Sequence, residues 1–547
     1  MSSLADERAI AISVFLVFLA GCLFLSMLTS PDLQEGADDF FAERGTARTA
    51  APRPLRQGLA LTGDFVSAAG VLYLCGIVAV GSYDGILIIA ATALSPLLLK
   101  VWLAERVPEG PGWSLGDVLA RRLPGGPARR AAGFATLVVC VPLLAAQLVP
   151  IGQITAALMG LPGQQGEMAG IALVGVLMLS CAAIGGVRGS TLLQIVKALG
   201  FLLIAPLLAL VVLAGFDWDY GEVLSQAAQG SGGGHAYLAP GRLFGADFAG
   251  RLDTLSLAVT VLLGTAFLPH LVMRLSASRT AEGARRASSW AVAAICLLCV
   301  ATAVVGYGTQ ALAGSQGIGA AGTRGGGNLL LFAAGFDAGD THGADTPSTL
   351  LTFIACGAFL AVLASASVLL LAGSAAIVHD MGRGRHANAD QGAPHRPLRA
   401  RIALVLVGAV SIALAVFVRT ADAQFWLTLT YTEAATVVLP ALGCCLLWRN
   451  FTLRGLRWCV YGGTLVALGL LALSPAVSGG AGSLYPDGDW AVFPLHAPGV
   501  VSVPAAFLLA WAGSRLTPAR AEAPATAPPQ RPGRAAHLLA GSGTPRP

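Results

Sequence analysis

Charge is scarce in this sequence. Only 12% of the 547 residues are Asp, Glu, Lys or Arg, while 55% are hydrophobic, and an average soluble domain carries about twice that charged share. The mean hydropathy is +0.72. Runs of about 20 apolar residues, the length with which a helix crosses a bilayer, recur along the whole chain. The composition therefore predicts a polytopic helical membrane protein and excludes a soluble enzyme.

Motifs for catalysis and for nucleotide binding are also lacking. No nucleophile–base pair and no metal-spaced set of His and Glu lies within the apolar stretches. The glycines of "GTRGGGNLL" are not followed by the Lys-Ser/Thr of a phosphate-binding loop. Cys296 and Cys299 form a C-x-x-C without His or further Cys nearby, so we interpret the ten cysteines as buried apolar side chains. These absences disfavour an enzyme, an ATP-driven pump and a metal site.

Thirteen stretches are apolar enough to be predicted as membrane spans. The first follows "MSSLADER", which lacks the basic start of a signal peptide, so we expect this span to be retained. After the last span, residues 516–547 are rich in Pro, Ala and Arg and are predicted to form a disordered cytoplasmic tail. The predicted spans are 9–29, 57–82, 84–104, 132–157, 167–187, 191–215, 252–273, 289–313, 348–378, 401–419, 424–447, 458–475 and 495–514.

The distribution of arginines between the loops predicts the orientation of these spans in the membrane. With the N-terminus outside, the segments that face the cytoplasm hold 27 arginines and the outward segments hold 5. Loops rich in positive charge stay on the cytoplasmic side of a membrane. We therefore predict a multi-pass protein of the plasma membrane with its N-terminus outside and its C-terminus in the cytoplasm.

Two spans carry residues that interrupt a helix. Span two begins with the small residues of "LTGDFVSAAG", and span seven has Gly264 and Pro269 in "LLGTAFLPHLVMR". In secondary transporters, broken helices at corresponding positions of two halves mark the binding site. Freed carbonyls are tolerated at membrane depth where they line a cavity or bind a ligand. A plain proline kink is the alternative for span seven.

Several motifs occur in an order that is characteristic of one transporter family. They are "GDFVSAAG…GSYDG", "LLAAQLVPIGQITAALMGL", "IGGVRGSTLLQIVKALGFLL", "AFLPHLVMRL", "LAGSAAIVHDM" and "LPALGCCLLWRNFTLRG". Over about residues 5–515 the chain resembles the sodium/solute symporter family, and within it the cation/acetate (monocarboxylate) branch. The resemblance implies an all-α, leucine-transporter-type fold in a transmembrane domain over 1–515. Its two five-helix inverted repeats would lie at about 57–215 and 252–447, with flanking helices 9–29, 458–475 and 495–514.

The resemblance implies a sodium site where the broken first core helix meets the eighth. Carried over by register, its positions are Gly63 and Val66 in span two and Ala361, Ala364 and Ser365 in span nine. Backbone carbonyls and a hydroxyl can supply the oxygen ligands of a hard cation. Ala364 departs from the paired serines of the sodium/sugar relatives, which leaves the proton open as the coupling ion. Back-bonding to a carbonyl one turn earlier is the alternative role of the Ser365 hydroxyl.

The resemblance also implies a substrate pocket lined by spans two, four, seven and eleven. Val438 lies where relatives often carry Asn, which favours a smaller or more apolar monocarboxylate. The candidate substrate contacts are Ser67, Ala68, Gln147, Gln153, Phe267 and Thr436.

Ionisable residues within spans are candidates for gating or coupling. Pro269 and Arg274 lie in the inner part of span seven, where Arg274 is expected to anchor the cytoplasmic end or to form a gate pair. Glu433 is the deepest carboxylate and marks either a proton or cation coupling position or a structural pair. Lys197 is expected to snorkel to the cytoplasmic face, with an anion contact as the alternative. Asp64 is expected to cap a half-helix or to meet the inner arginines.

Together these features predict a secondary active transporter rather than an enzyme. It would carry a short-chain monocarboxylate such as acetate with a cation, sodium or else a proton, by alternating access. A symporter of another small organic solute (an amino acid or a sugar) and a transporter-like sensor are the alternatives. We expect no cofactor beyond the coupling ion. The expected partners are the lipid bilayer, a small organic anion and Na+, without nucleic acid, and a small membrane subunit is left open.

Overall fold

The described part of the chain is mostly helical. A computed structural model describes residues 2–28, 54–104, 114–159, 161, 163–276, 280–320, 349–382, 396–419, 421, 423–480 and 483–516. Within these ranges the β-structure is limited to an isolated bridge between Ser478 and Tyr485. The predicted tail from residue 517 onward lies outside the described residues.

In the first half of the chain, one helix holds two predicted spans. The helices are α1 (Ser2–Leu28), α2 (Pro54–Phe65), α3 (Ala68–Gly81), α4 (Tyr83–Leu99), α5 (Leu115–Ala120), α6 (Gly125–Met159), α7 (Gly163–Gly215) and α8 (Tyr220–Gly230). A π-helical turn, Lys100–Ala104, extends α4, and a 3-10 turn, Gly234–Leu238, follows α8. Spans 167–187 and 191–215 both lie in α7, which bends at Gly186 with φ 51° and ψ −153°. Glycine adopts such a backbone without a Cβ penalty, so it allows the turn between the two spans.

In the second half, π-helical turns extend or join several helices. The helices are α9 (Phe248–Ala266), α10 (Pro269–Ser276), α11 (Ala281–Ala320), α12 (Thr349–Ala375), α13 (Arg396–Phe417), α14 (Ala423–Glu433), α15 (Leu439–Leu447), α16 (Leu453–Arg457), α17 (Gly463–Ala472) and α18 (Gly499–Arg515). The turn Ala376–Met381 extends α12, Ala434–Val438 joins α14 to α15, and Trp458–Gly462 joins α16 to α17.

All thirteen predicted spans coincide with helices, which confirms the all-α polytopic prediction. In the described ranges, nine helices are long and apolar enough to cross a membrane, and the bent pair α2–α3 makes a tenth. The apolar part of α1, Ile12–Leu25, and α18 are shorter. The bend in α7 accounts for the remaining span. Two short helices, α5 and α8, fall between predicted spans.

The two interrupted spans break where the sequence predicts. In span two, α2 ends at Phe65, α3 begins at Ala68, and the two helices are bent by 63°. In span seven, α9 ends at Ala266 and α10 begins at Pro269. These breaks lie among the most buried helices, since about four fifths of the apolar windows of α9–α10, α12 and α14–α15 are buried. By contrast, 17% of the apolar window of α7 is buried, so that stretch of the helix lies mostly at the surface of the described helices.

Glycines let both broken spans touch neighbouring backbone. A Cβ atom at Gly63 of α2 would overlap the Gln194 carbonyl oxygen of α7. A Cβ atom at Gly264 of α9 would overlap the Tyr431 carbonyl oxygen of α14. The breaks are therefore positioned against α7 and α14 by direct backbone contact.

Candidate cation and substrate site

The break between α2 and α3 is the centre of the candidate site. Ser67 is extended (φ −100°, ψ 155°), and its Oγ accepts a hydrogen bond from the Gly70 N–H at 2.9 Å, capping α3. Because α2 ends at Phe65, the carbonyls of its last turn lack the donors of a following turn, and the first N–H groups of α3 lack acceptors. Val66, buried in the break, closes the last turn of α2 through its N–H bond to the Thr62 carbonyl. The break thus presents carbonyl oxygens at one helix end and amide donors at the other.

The predicted cation residues of α12 lie buried against α7. Ala361, Ala364 and Ser365 are each at most 4% exposed. Gln194 Nε2 of α7 donates to the Ala364 carbonyl at 3.1 Å. Lys197 Nζ of α7 donates to Ser365 Oγ at 2.8 Å. The structure therefore brings these α12 positions together with two donor side chains that the sequence did not place there.

Lys197 does not snorkel, so that expectation is wrong. Its side chain is 2% exposed, and its ammonium points to Ser365 of α12. No carboxylate pairs with Lys197 in the described ranges, and its contact with an anion stays a prediction. The physical reason is the rotation of α7, which turns Lys197 toward a hydroxyl at its own depth. Ser365 accordingly does not back-bond, whereas Ser367 does, to the Leu363 carbonyl at 2.7 Å.

A cavity opens on another side of the same break. It holds about 50 Å³ of space for water-sized molecules, is partly open to the surroundings, and its lining includes Val66 and Ser67. None of its described lining residues is charged. The Tyr73 hydroxyl is buried without a hydrogen-bond partner in the described structure. Six lining residues carry hydroxyl groups: Ser67, Tyr73, Thr92, Thr265, Thr302 and Tyr431.

Gln147 of α6 lies at the beginning of α3. Its side chain is fully buried, and its Oε1 is 3.5 Å from the Ala69 N–H. Its Nε2 has no hydrogen-bond partner within the described ranges. Ala68 is the first residue of α3, and Gln153 lies half-buried farther along α6. Of the predicted substrate contacts, Ser67, Ala68 and Gln147 are thus brought together at the start of α3.

Two other predicted substrate residues are engaged elsewhere. Phe267 fills the break between α9 and α10, and its ring packs edge-to-face on Trp102 with centroids 5.2 Å apart. Thr436 lies in the π turn after α14, and its Oγ1 is 2.6 Å from Ser502 Oγ of α18. The described lining of the cavity includes neither residue. Their contact with substrate stays a prediction.

An ion pair joins the two interrupted spans near their breaks. Arg274 of α10 donates from Nε to Asp64 Oδ2 and from Nη2 to Oδ1, the latter at 3.2 Å. It also donates to Thr191 Oγ1 of α7 at 3.3 Å. His270 Nε2, one turn earlier and next to Pro269 at the start of α10, lies 3.4 Å from the Asp64 carbonyl oxygen. Asp64 therefore meets an inner arginine, and this contact has the geometry of a gate pair, whose gating role stays a prediction.

Glu433 is fully buried at the end of α14, directly before the π turn. No basic side chain pairs with it in the described ranges, and the Thr464 hydroxyl of α17 lies beside it. Its predicted coupling role is untested.

One polar cluster was not recognised in the sequence. It lies where the π turn after α12 meets α5 and α6. Arg129 Nη1 is 2.5 Å from Asp117 Oδ1, and His379 Nε2 is 3.1 Å from the same oxygen. Ser114 Oγ donates to Asp380 Oδ1 at 2.6 Å. The "HD" that ends span nine was the available signal, but its partners lie more than 240 residues earlier in the chain.

Comparisons with known proteins accord with this geometry. Residues 53–463 match the sequence model of the Sodium:solute symporter family. A monocarboxylic acid transporter of Corynebacterium glutamicum is 31% identical over 513 residues, covering 92% of this chain and 90% of the relative. The uncharacterized symporter YwcA of Bacillus subtilis is 29% identical over 465 residues, covering 85% and 87%.

A solved structure confirms the predicted fold. It is the substrate-bound outward-open state of a Na+-coupled sialic acid symporter, with a TM-score of 0.61 and 15% identity. The similarity covers 93% of this chain and 98% of that one. The leucine-transporter-type fold is thereby shown, while an identity this low carries no statement about substrate or ion.

Proposed function

The chain belongs to the sodium:solute symporter family, and from this premise we propose that it carries a short-chain monocarboxylate such as acetate across the plasma membrane together with a cation. It is a multi-pass membrane transporter and not an enzyme. The substrate class is supported by the Corynebacterium relative, which is a monocarboxylic acid transporter. Further support comes from the donors around the break in span two.

The observation that carries the proposal is the group of buried donors at the start of α3. A helix N-terminus holds about half a positive charge, and broken transporter helices use such ends to bind anionic groups. Gln147 adds an Nε2 group without a partner among the described residues. A carboxylate could accept a hydrogen bond from Nε2 while lying at the positive end of α3, where Ser67 already caps the Gly70 N–H. Val71 and Leu74 of the adjoining cavity would then contact a short alkyl tail.

The membrane potential favours an accompanying positive charge. An inside-negative potential opposes entry of an anion by about 2.3 kcal/mol per 100 mV. One cation that crosses with each carboxylate cancels this term, so the gradient of the cation drives uptake. The Asp64–Arg274 pair ties α2 to α10 at the end predicted to be cytoplasmic. In an alternating-access cycle this pair must open before the substrate can leave at that end.

Counterflow into proteoliposomes tests the substrate class. Vesicles loaded with unlabelled solute are diluted into labelled acetate, and exchange is compared for acetate, propionate, pyruvate, proline, glucose and the neutral analogue acetamide. We expect the three monocarboxylates to accelerate exchange and the other solutes to leave it unchanged. The proposed substrate class is wrong if no organic anion accelerates exchange.

A variant at Gln147 tests the binding site. Gln147→Leu removes the donor at nearly constant volume, and hydrogen bonds to charged groups contribute about 1.5–3 kcal/mol. We therefore expect the KM for acetate to rise about tenfold or more, with a smaller change in maximal rate. Gln164→Leu is the control, because Gln164 is exposed at the start of α7. An unchanged KM in Gln147→Leu would move the carboxylate site away from α3.

A further inference from the structure

Helix α7 places an ammonium at the position where the sequence predicts a free cation. We propose that Lys197 Nζ fills the cation position between α2 and α12, so that this position binds no sodium and the lysine supplies its positive charge. A sodium ion that drives transport would then bind elsewhere in the protein. The inference rests on the proposed symport, because it concerns the predicted coupling position of that cycle.

The first argument is that α7 already occupies the predicted ligands of α12. Gln194 and Lys197 are three residues apart and therefore lie on one face of α7. They donate to consecutive residues of α12, Gln194 to the Ala364 carbonyl at 3.1 Å and Lys197 to the Ser365 hydroxyl at 2.8 Å. An ammonium has three donors and no acceptor, so the Ser365 oxygen must accept this bond. The α12 side of the position is thus bonded to protein donors.

The second argument is the close approach of α2. Gly63 packs directly on the Gln194 backbone, where even a Cβ atom would overlap the carbonyl oxygen. The predicted ligand position on α2 is therefore in contact with the helix that supplies the lysine. Helices α2, α7 and α12 meet here, with Lys197 one turn beyond the point of contact.

The third argument is that α12 offers few side-chain oxygens for a sodium ion, so that backbone carbonyls would have to supply most of its ligands. A hard cation is bound by several oxygens. Ala361 and Ala364 have no side-chain oxygen, and Ser367 uses its hydroxyl on the Leu363 carbonyl. In the centre of α12 the Ser365 hydroxyl is left as a possible side-chain ligand, and it already accepts a hydrogen bond from Lys197 Nζ. A second positive charge at the same hydroxyl would be repelled by the first.

No charged side chain of the described residues pairs with Lys197. On α2 and α10, Asp64 and Arg274 pair with each other, and His270 Nε2 lies 3.4 Å from the Asp64 carbonyl oxygen. The other helices packed against α7, namely α1, α6, α11, α12 and α13, carry their charged residues toward their ends or have none. In the described structure, the ammonium therefore has no carboxylate to neutralise it.

Sodium dependence in Ser365 variants tests the proposal. Labelled acetate uptake is measured in proteoliposomes at increasing external Na+, with choline as the replacing cation and the membrane potential held constant. We expect the sodium response of Ser365→Ala to match that of the wild-type protein within about twofold in half-saturating concentration. Ser367→Ala, on the same helix but back-bonded, is the matched control. A wild-type response that Ser365→Ala abolishes, or shifts tenfold, overturns the proposal.

Substitution of the lysine tests the charge itself. Lys197→Met keeps most of the side-chain volume, and we expect the acetate uptake rate to fall at least tenfold. Lys197→Arg keeps the positive charge and should retain more uptake than Lys197→Met. Lys100→Met, at the end of α4, changes the other lysine of the chain and should behave as the wild-type protein. Wild-type uptake by Lys197→Met contradicts the proposal.

A binding readout keeps the test independent of folding defects and of the substrate. The thermal unfolding midpoint of the wild-type protein and of Ser365→Ala is compared in Na+ and in choline. Equal sodium effects on the two proteins support the proposal, and a sodium stabilisation that only the wild-type protein shows overturns it. This comparison needs no transported solute. A failure of acetate counterflow therefore removes the proposed substrate without deciding the occupant of the cation position.

Discussion

The two sides of the break in span two differ in what faces them. Toward α7 and α12, two long polar side chains, Gln194 and Lys197, fill the space and bond to α12. Toward α9, α11 and α14, hydroxyl side chains and apolar groups leave a small cavity that is partly open to the surroundings. The same interruption of the backbone thus borders a closed, charged contact on one side and an open, neutral cavity on the other. A broken helix does not by itself define a binding site; the side chains that face it do.

The largest loss of uptake is expected when a larger side chain is introduced where α2 contacts α7. Gly63→Val places a branched side chain against the Gln194 carbonyl, which is backbone and cannot rotate away. Overpacking of this kind costs about 1–3 kcal/mol and occasionally more. Because the backbone cannot move aside, we expect loss of uptake and a clearly lower thermal unfolding midpoint. Gly469→Val on α17 is the control, since a Cβ atom there meets nothing within 4 Å. Wild-type behaviour of Gly63→Val would mean that α2 and α7 separate easily, and the contrast between the two sides would fail.

A smaller loss of uptake is expected from the ion pair that ties both broken spans together. Arg274→Gln leaves the Asp64 carboxylate buried without its partner, and breaking a buried pair in this way costs about 3–5 kcal/mol before relaxation. We expect uptake to fall by about one order of magnitude, with partial recovery of stability in the double variant Asp64→Asn/Arg274→Gln. Arg286→Gln serves as the control because its pair with Glu282 is mostly exposed. If the double variant is no more stable than Arg274→Gln, the pair is not what holds α2 to α10.

The smallest effect on transport is expected from a substitution in the lining of the cavity. Tyr73→Phe removes a cavity hydroxyl that has no partner among the described residues, so no protein hydrogen bond is lost and the unfolding midpoint should stay within about 1 °C. We expect the KM for acetate to rise about threefold through loss of a substrate contact. Tyr485→Phe, an exposed substitution, should change neither quantity. A marked loss of stability in Tyr73→Phe would show that the hydroxyl stabilises the folded protein and is not available for a substrate contact.

Local signals explain what the sequence could predict. Span positions follow from apolar length, and the break in span two follows from the small residues around Ser67, which caps the next helix through its own side chain. The break in span seven follows from Pro269, whose ring cannot continue the helix before it. Each of these features depends on residues within a few positions of one another.

Contacts between distant segments explain what it could not predict. The bond between Lys197 and Ser365 joins residues 168 positions apart and depends on how α7 is rotated about its axis. The Thr436 hydroxyl points to Ser502 because a π turn follows α14, and such a turn changes the helical register without a local sequence signal. Periodicity identifies which helices exist, whereas the pairing of their faces is decided by packing.

The contact at Gly63 has a consequence for how sequences of this fold can vary. Gly408 also lies against a neighbour, but there an added Cβ would overlap the Leu179 side chain, which a smaller residue can replace. At Gly63 the overlapping atom belongs to the backbone, which every residue type shares. We therefore expect positions 408 and 179 to covary among homologues. Position 63 should stay glycine without any covarying partner, and no second-site suppressor of its variants should arise at position 194.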